Sequence, residues 1–389
     1  MARVLFVIHS LEVGGAERQL SELAAGLRRA GHAVGVLMLF RAGPYAERLA
    51  ATTDVELLSV DKRGPFRVLR FFWSAARVVR GFRPDVIHGY MDDANLLAVV
   101  MRAAAPRARI AWGVRNVQPN AEPNDRLARV IAQLCRPLSW LAHVIVTNSS
   151  RAAESYAARG YPRHRIRVIP NGIDTDTFRP DAEGGRRVRA EWGIAPDDLL
   201  VGNVGRLHPA KDHDTFLAAA VRLAARRADV RFVCIGDGTG PYRAALLRRM
   251  QASGLGDRLR HVPSRRDMPA VYSALDLATL SSVTESFPNV LAEAMACGVP
   301  CVATDVGDTR LILGPHGPVV PPRDPDALAR AWDAALSSAR DDARWRACRA
   351  HIVDHFSVER LVARSADALG IGPGAAMPVP APARLWPAT

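Results

Sequence analysis

Two glutamates, Glu285 and Glu293, stand eight positions apart in the stretch Thr284–Pro300, TESFPNVLAEAMACGVP. Pro288 and Gly298 bracket the residues around the second acid. Proline is tolerated at the first position of a helix and glycine is enriched just past the last. The spacing predicts a short helix from Pro288 to about Cys297, with Glu285 in the turn leading into it. Its start at Asn289, Val290 and Leu291 offers free backbone N–H groups and the positive end of a dipole, which suits a phosphate. Eight residues rise roughly 12 Å along a helix, so these two carboxylates cannot share one proton or one metal. Acids that far apart, with a phosphate seat between them, suit a long ligand carrying hydroxyls at both ends. Ribose, diphosphate and hexose make such an outline. Upstream, Arg206 and Lys211 in GRLHPAKD follow directly on an apolar run, where two cations reach a diphosphate.

These side chains need strand ends to hold them. Leu275–Ser282 (LDLATLSS) reads as a buried strand ahead of Glu285, and Leu199–Gly205 (LLVGNVG) as one ahead of Arg206. Val230–Ile235 closes in Gly236-Asp237-Gly238, which brings backbone close to a ligand at a strand edge. Near the start, Arg3–His9 is an apolar run, Ser10–Gly15 (SLEVGG) a loop, Ala16–Ala30 apolar at helical spacing, and His32–Phe40 a further strand. That β-loop-α-β unit implies a parallel sheet. Gly14 and Gly15 then fall where the sheet's carboxyl edge meets a helix start, the usual ligand crevice of such folds. The pattern is not G-x-G-x-x-G, and no acid follows at dinucleotide spacing, which argues against a nicotinamide cofactor. Asp85–Gly89 is a strand carrying His88 near its end. Ala108–Val114 is another, followed by Arg115, which can bind a phosphate bidentately. Pro170-Asn171-Gly172 signals a turn.

The stretch 284–300, with the motifs at 202–211 and 236–238 in order, resembles the E-x7-E signature of retaining GT-B glycosyltransferases, in particular family four. The resemblance runs from the first strand to about residue 365. It implies two facing Rossmann-like, doubly wound α/β domains with a cleft between them. Residues 1–170 would form the acceptor-binding domain and 171–357 the nucleotide-sugar domain. Residues 358–370 would make a helix crossing back to the first domain, and 371–389, rich in Pro and Ala, a disordered tail. The resemblance implies that Arg206 and Lys211 stabilise the charge on the departing nucleotide and that Glu285, with Ser286 and Phe287, orients the hexose. Glu293 takes the ribose hydroxyls, and the N–H groups of Asn289 and Val290 hold the diphosphate. The glycines at 14, 15, 205, 236 and 238, with Asp237, lie along the donor. Many members carry a histidine after the strand at 108–114. This chain reads WGVRN there, so Arg115 and His88 are the acceptor-side candidates. No metal or other cofactor is expected: Asp174-Thr175-Asp176 resembles a D-x-D metal motif but falls in the GT-B linker, and His208 and His213 have no further ligands clustered with them.

The chain of 389 residues is long enough for two domains. Its five cysteines are scattered, with no C-x2-C pair, so neither a disulfide framework nor a zinc site is indicated. No apolar run is long enough to span a bilayer, and the N-terminus lacks the layout of a signal peptide. A net charge of +13 favours anionic partners. Nucleic acid is not expected, since no recognised binding motif is present. On a helical wheel over 65–82, Arg63, Arg67, Arg70, Arg77 and Arg80 share one side, and Val68, Phe72, Ala75, Ala76, Val79 and Phe82 the other. Beside the reading as a helix packed on its sheet stands that of an interfacial helix on anionic lipid, with Trp73 at the boundary. The expectation is a cytoplasmic protein, peripheral on the inner face of the plasma membrane. It would move a hexose or N-acetylhexosamine from a UDP- or GDP-sugar to a lipid-linked or soluble glycan in polysaccharide or glycolipid synthesis. A nucleotide-sugar epimerase and a non-catalytic donor- or lipid-binding subunit remain as alternatives.

Overall fold

The computed structural model describes residues 1–12, 14–40, 43–60, 67–115, 126–337 and 342–372. The expectations for Arg63, Pro65, Phe66 and the tail beyond residue 372 lie outside the described residues.

The chain forms two parallel sheets. The first is built by β1 (Arg3–Ile8), α1 (Gly15–Arg29), β2 (Ala33–Met38), α2 (Pro44–Thr52), β3 (Glu56–Ser59), α3 (Arg67–Phe82), β4 (Val86–Tyr90), α4 (Asp92–Met101), β5 (Arg109–Val114), α5 (Arg126–Leu138), β6 (Val144–Thr147), α6 (Ser150–Ala158) and β7 (Ile166–Val168). The second follows with α7 (Ala182–Glu191), β8 (Leu199–Val204), α8 (His213–Ala224), β9 (Val230–Ile235), α9 (Gly240–Gln251), β10 (Leu259–Val262), α10 (Met268–Ser273), β11 (Leu277–Leu280), α11 (Asn289–Ala296), β12 (Cys301–Thr304), α12 (Thr309–Leu313), β13 (Val319–Val320), α13 (Pro325–Leu336), α14 (Asp342–Phe356) and α15 (Val358–Leu369).

Strand order is β3-β2-β1-β4-β5-β6-β7 in one sheet and β10-β9-β8-β11-β12-β13 in the other. Helices cover both faces, so the central strands are buried along their length and mostly apolar: Val4 to Ile8 and Leu277 to Leu280 are all buried, Thr279 being the one polar residue among them. Order reverses beside β1 and β4 in the first sheet and beside β8 and β11 in the second. A crevice opens at the carboxyl ends of such strands. The crevice of the first sheet receives the Gly14–Gly15 loop and Tyr90. That of the second receives Arg206, Lys211 and Glu285.

The chain crosses between the halves twice. After β7 it leaves the first half through Asn171-Gly172-Ile173. It returns at Phe356-Ser357, where the Ile173 N–H donates to Phe356 O at 2.7 Å and the Val358 N–H to Ile173 O at 3.1 Å. α15 then packs on the first half: Leu361, Ala366 and Leu369 share one core with Val4, Phe6, Leu20 and Leu27. A Cβ at Gly26 would stand 2.3 Å from Val362 Cγ2, so the closeness of α1 and α15 depends on that glycine.

The helical wheel over 65–82 needs one correction. Ala75, Val79 and Phe82 are buried, but Phe72, assigned to the same face, is 39% exposed. Leu69 and Trp73 beside it are 71% and 63% exposed. No helix among the described residues is long and apolar enough to cross a membrane.

Candidate active site

The loops after β8 and β9 lie against each other through backbone. The Gly205 N–H donates to Ile235 O at 2.9 Å and the Leu207 N–H to Asp237 O at 2.8 Å. Gly236 has φ +148, and a Cβ there would sit 2.0 Å from Gly205 O. A Cβ at Gly238 would sit 2.5 Å from Leu207 O. The Asp237 carboxylate accepts from the Ser264 N–H at 3.1 Å, which ties in the loop after β10. The glycines at 205, 236 and 238 thus let two strand-end loops close on each other, leaving backbone at the crevice floor.

Lys211 and Glu285 meet on this floor. Lys211 Nζ donates to Glu285 Oε1 at 2.5 Å, and Ser282 Oγ donates to the same oxygen at 2.7 Å. The lysine stem runs over Gly205, where a Cβ would lie 3.5 Å from Lys211 Cδ. Two further bonds join the loops that carry the pair: Val283 N–H to Ala210 O at 2.9 Å, and Ser281 Oγ to Lys211 O at 2.9 Å. Arg206, five residues before Lys211, is exposed and has no carboxylate partner among the described residues. Ser286 O accepts from the Asp308 N–H at 3.0 Å, and Phe287 is buried with its ring 5.7 Å from that of Phe356.

Glu293 lies on α11, whose first turn begins straight after Pro288. Its side chain is buried and both oxygens are engaged. Tyr272 Oη donates to Oε2 at 2.8 Å, and Arg18 Nη1, from the other half of the molecule, donates to Oε1 at 2.6 Å. Asn289 Oδ1 accepts from Asn171 Nδ2 at 2.9 Å, and a Cβ on Gly15 would be 3.9 Å from Asn289 Nδ2. Gly15 and Asn289 therefore face each other across the cleft. Val290 is half-buried against the core beside α11.

On the first half, Arg115 is buried at the end of β5. Its Nη2 donates to Tyr90 Oη at 2.6 Å, its Nη1 to Asn171 Oδ1 at 3.4 Å, and its guanidinium lies 4.7 Å from the Tyr90 ring centre. No carboxylate pairs with it, and its Nε has no partner among the described residues. A buried cation without a counter-charge is costly unless an anion meets it. His88 lies deeper, packed against Phe6 and Tyr90, and neither ring nitrogen has a partner among the described residues. Burial, and then the Arg115 charge, pushes its pKa down to about 3, so the ring is neutral at pH 7. Thr147 Oγ1 and Asn148 Oδ1, at the end of β6, are also buried with no partner among the described residues. Three neighbouring strands thus carry, at or near their ends, buried polar atoms that no group among the described residues satisfies.

Sequence reasoning did not single out Arg18, Tyr90, Thr147, Asn148, Tyr272 or Asp308. The last joins the halves directly: its carboxylate accepts from the Ser150 N–H, at the start of α6, at 3.0 and 3.2 Å. Among the described residues no group of His, Cys, Asp and Glu is placed to hold a metal ion. Asp174 instead closes its own turn, accepting from the N–H of Asp176 and Thr177 and from Thr177 Oγ1. His208 caps the Ala210 N–H, and His213 is buried against Tyr242.

Comparison with known proteins agrees with this geometry. Residues 13–177 match the family described as Glycosyltransferase Family 4, and residues 198–338 the one described as Glycosyl transferases group 1. A D-inositol 3-phosphate glycosyltransferase of a Mycobacterium species (strain JLS) is 34% identical over 201 residues, half of this chain and 44% of that protein. The chain therefore spans under half the length of such relatives. EpsF of Bacillus subtilis is 25% identical over 78% of this chain and 79% of its own. Among solved structures, Anabaena HepE in complex with UDP superposes with a TM-score of 0.81 at 22% identity, covering 95% of this chain and 99% of that one.

Proposed function

The chain belongs to the family-four glycosyltransferases of GT-B fold, and from that premise we propose that it moves a hexose or N-acetylhexosamine from a UDP- or GDP-sugar to a glycan acceptor with retention of anomeric configuration. The observation that carries this reading is the Lys211–Glu285 contact at the mouth of the second sheet, with Arg206, which has no carboxylate partner among the described residues, close by in sequence. Arg206, Lys211 and the N–H groups of Asn289 and Val290 would hold the diphosphate. Glu285, Ser286 and Phe287 would orient the hexose, and Glu293 would meet the ribose. Cleavage of the sugar–phosphate bond builds negative charge on the leaving oxygen. Cations fixed there stabilise the transition state more than the ground state. The leaving phosphate then takes the acceptor's proton, and no metal is required.

The acceptor would enter from the first half, over Gly14–Gly15 and toward Arg115. The uncompensated charge of Arg115 favours an acceptor bearing a phosphate or carboxylate. That the mycobacterial relatives are named for an inositol phosphate supports this choice. A lipid-linked acceptor is favoured by the outer surface of the α3–α5 layer. Leu69 and Trp73 on α3 are exposed there, as are Val130 and Leu134 on α5 and Trp140 just beyond it. Neither α3 nor α5 contains an acidic residue. These features support a reading of the protein as a peripheral enzyme on the inner face of the plasma membrane, acting in polysaccharide or glycolipid synthesis.

The test is a thermal-shift screen over UDP-, GDP- and ADP-sugars, since a ligand bound only by the folded state raises its apparent stability. One nucleotide class should raise the melting temperature, and Arg206→Ala should lose most of that rise. No shift with any donor, or an equal shift in Arg206→Ala, would refute the site.

A further inference from the structure

Glu293 is 5% exposed, an unusual state for a carboxylate meant to receive a ligand. Its two oxygens are held from opposite sides. Tyr272, fully buried and in the same half, donates to Oε2 from within the core. Arg18, 275 positions away in the chain, donates to Oε1 from the other half. The Arg18 side chain is itself 20% exposed, and its guanidinium lies 5.0 Å from the Phe178 ring centre, which fixes its plane. Its backbone is fixed as well, because the Arg18 N–H donates to Gly14 O at 3.1 Å in the first turn of α1. The arginine therefore stands in the first turn of the helix that follows the Gly14–Gly15 loop, and it covers the carboxylate oxygen that Tyr272 leaves open.

A ribose diol needs that oxygen. The Tyr272 bond lies in packed core and offers no route of approach, so an incoming hydroxyl competes with Arg18 for Oε1. We propose that Arg18 is a plug on Glu293: it occupies the carboxylate while the donor site is empty and is exchanged for the ribose hydroxyls when a nucleotide sugar enters. Contact between the halves and donor binding then oppose each other at this one atom. The arginine sets donor affinity from the acceptor side of the cleft without contacting the reacting bond. This proposal rests on the reading of Glu293 as the ribose acceptor.

The experiment is calorimetric titration of UDP and of GDP into the full-length wild type, Arg18→Ala, Arg18→Gln and Glu293→Ala, with melting temperatures for each. Removing a charge-assisted competitor should tighten nucleotide binding by about tenfold in Arg18→Ala. Arg18→Gln, which keeps a neutral donor and is the safer variant for folding, should tighten it by less. Glu293→Ala should weaken it. A purely structural arginine would lower the melting temperature without tightening binding. Unchanged or weaker binding in both Arg18 variants, with Glu293→Ala still impaired, overturns the plug alone. Wild-type affinity in Glu293→Ala overturns the ribose assignment and the plug with it, as does failure of all four proteins to bind either nucleotide.

Discussion

Lys211 and Glu285 are 74 positions apart in the chain and 2.5 Å apart between Nζ and Oε1. Ser282 holds the same oxygen, so the ammonium is aimed and partly neutralised before any ligand arrives. Lys211→Ala and Glu285→Ala should each lower release of nucleoside diphosphate from the donor by about a hundredfold or more. Each should also cost about 1–3 kcal/mol of stability by stranding its partner, and leave the fold intact. Turnover and urea denaturation of the two variants check this. Near-normal turnover in both would remove the pair from the reaction.

Gly236 should tolerate no side chain. Its φ of +148 disfavours any L-residue, and a Cβ would collide with Gly205 O at 2.0 Å. The collision is with backbone, so relief requires the two loops to part. Gly236→Ala is expected to lose roughly 3 kcal/mol or more and to weaken nucleotide binding with it. An alanine variant with wild-type stability would show that the loops do not abut.

Asp308 gives the contact between the halves a pH dependence. Burial, opposed by the backbone N–H groups of Ser150 and Arg151 and by the Arg151 charge, raises its pKa to about 6 from an ordinary 3.8. Between those values the folded protein holds a proton that the unfolded chain has released. This group's contribution therefore grows as pH falls toward 4 and is lost as pH rises through about 6. Asp308→Asn, which keeps an oxygen for Ser150 without the charge, should melt a few degrees above wild type at pH 7.5. That advantage should shrink at pH 5. Melting curves at both values decide it, and an equal difference at each would show that the carboxyl is not titrating there.

The exposed apolar side chains of α3 and α5 sit among arginines, so binding to anionic vesicles should occur at low salt and fade as salt screens it. Trp73→Ala and Trp140→Ala should each reduce sedimentation with phosphatidylglycerol vesicles. Absence of binding by the wild type at low salt would dispose of the surface as a membrane contact.

Much of this was legible from the residues, and the exceptions share a cause. The strands announced themselves because parallel strands covered on both faces are largely apolar, as at Val4–Ile8 and, but for Thr279, at Leu277–Leu280. Lys211 and Glu285 could be proposed together because each follows a strand end within one half. Arg18 and Asp308 could not, because their partners lie in the opposite half and only docking brings them near. Phe72 was grouped with Ala75, Val79 and Phe82 by helical phase, which takes no account of how far the neighbouring layer extends. Arg115 was visible as a charge, but its want of a carboxylate is a property of the surroundings.

The final helix carries a consequence for synthesis. The first half needs Leu361, Ala366 and Leu369 to complete its core. As the ribosome extends the chain, residues 3–168 emerge with their sheet residues present but one wall missing. The second half follows, and only after it does α15 (Val358–Leu369) come out to supply that wall. The half made first is thus the half finished last, and a ribosome stalled before residue 358 leaves a nascent product with α1 uncovered.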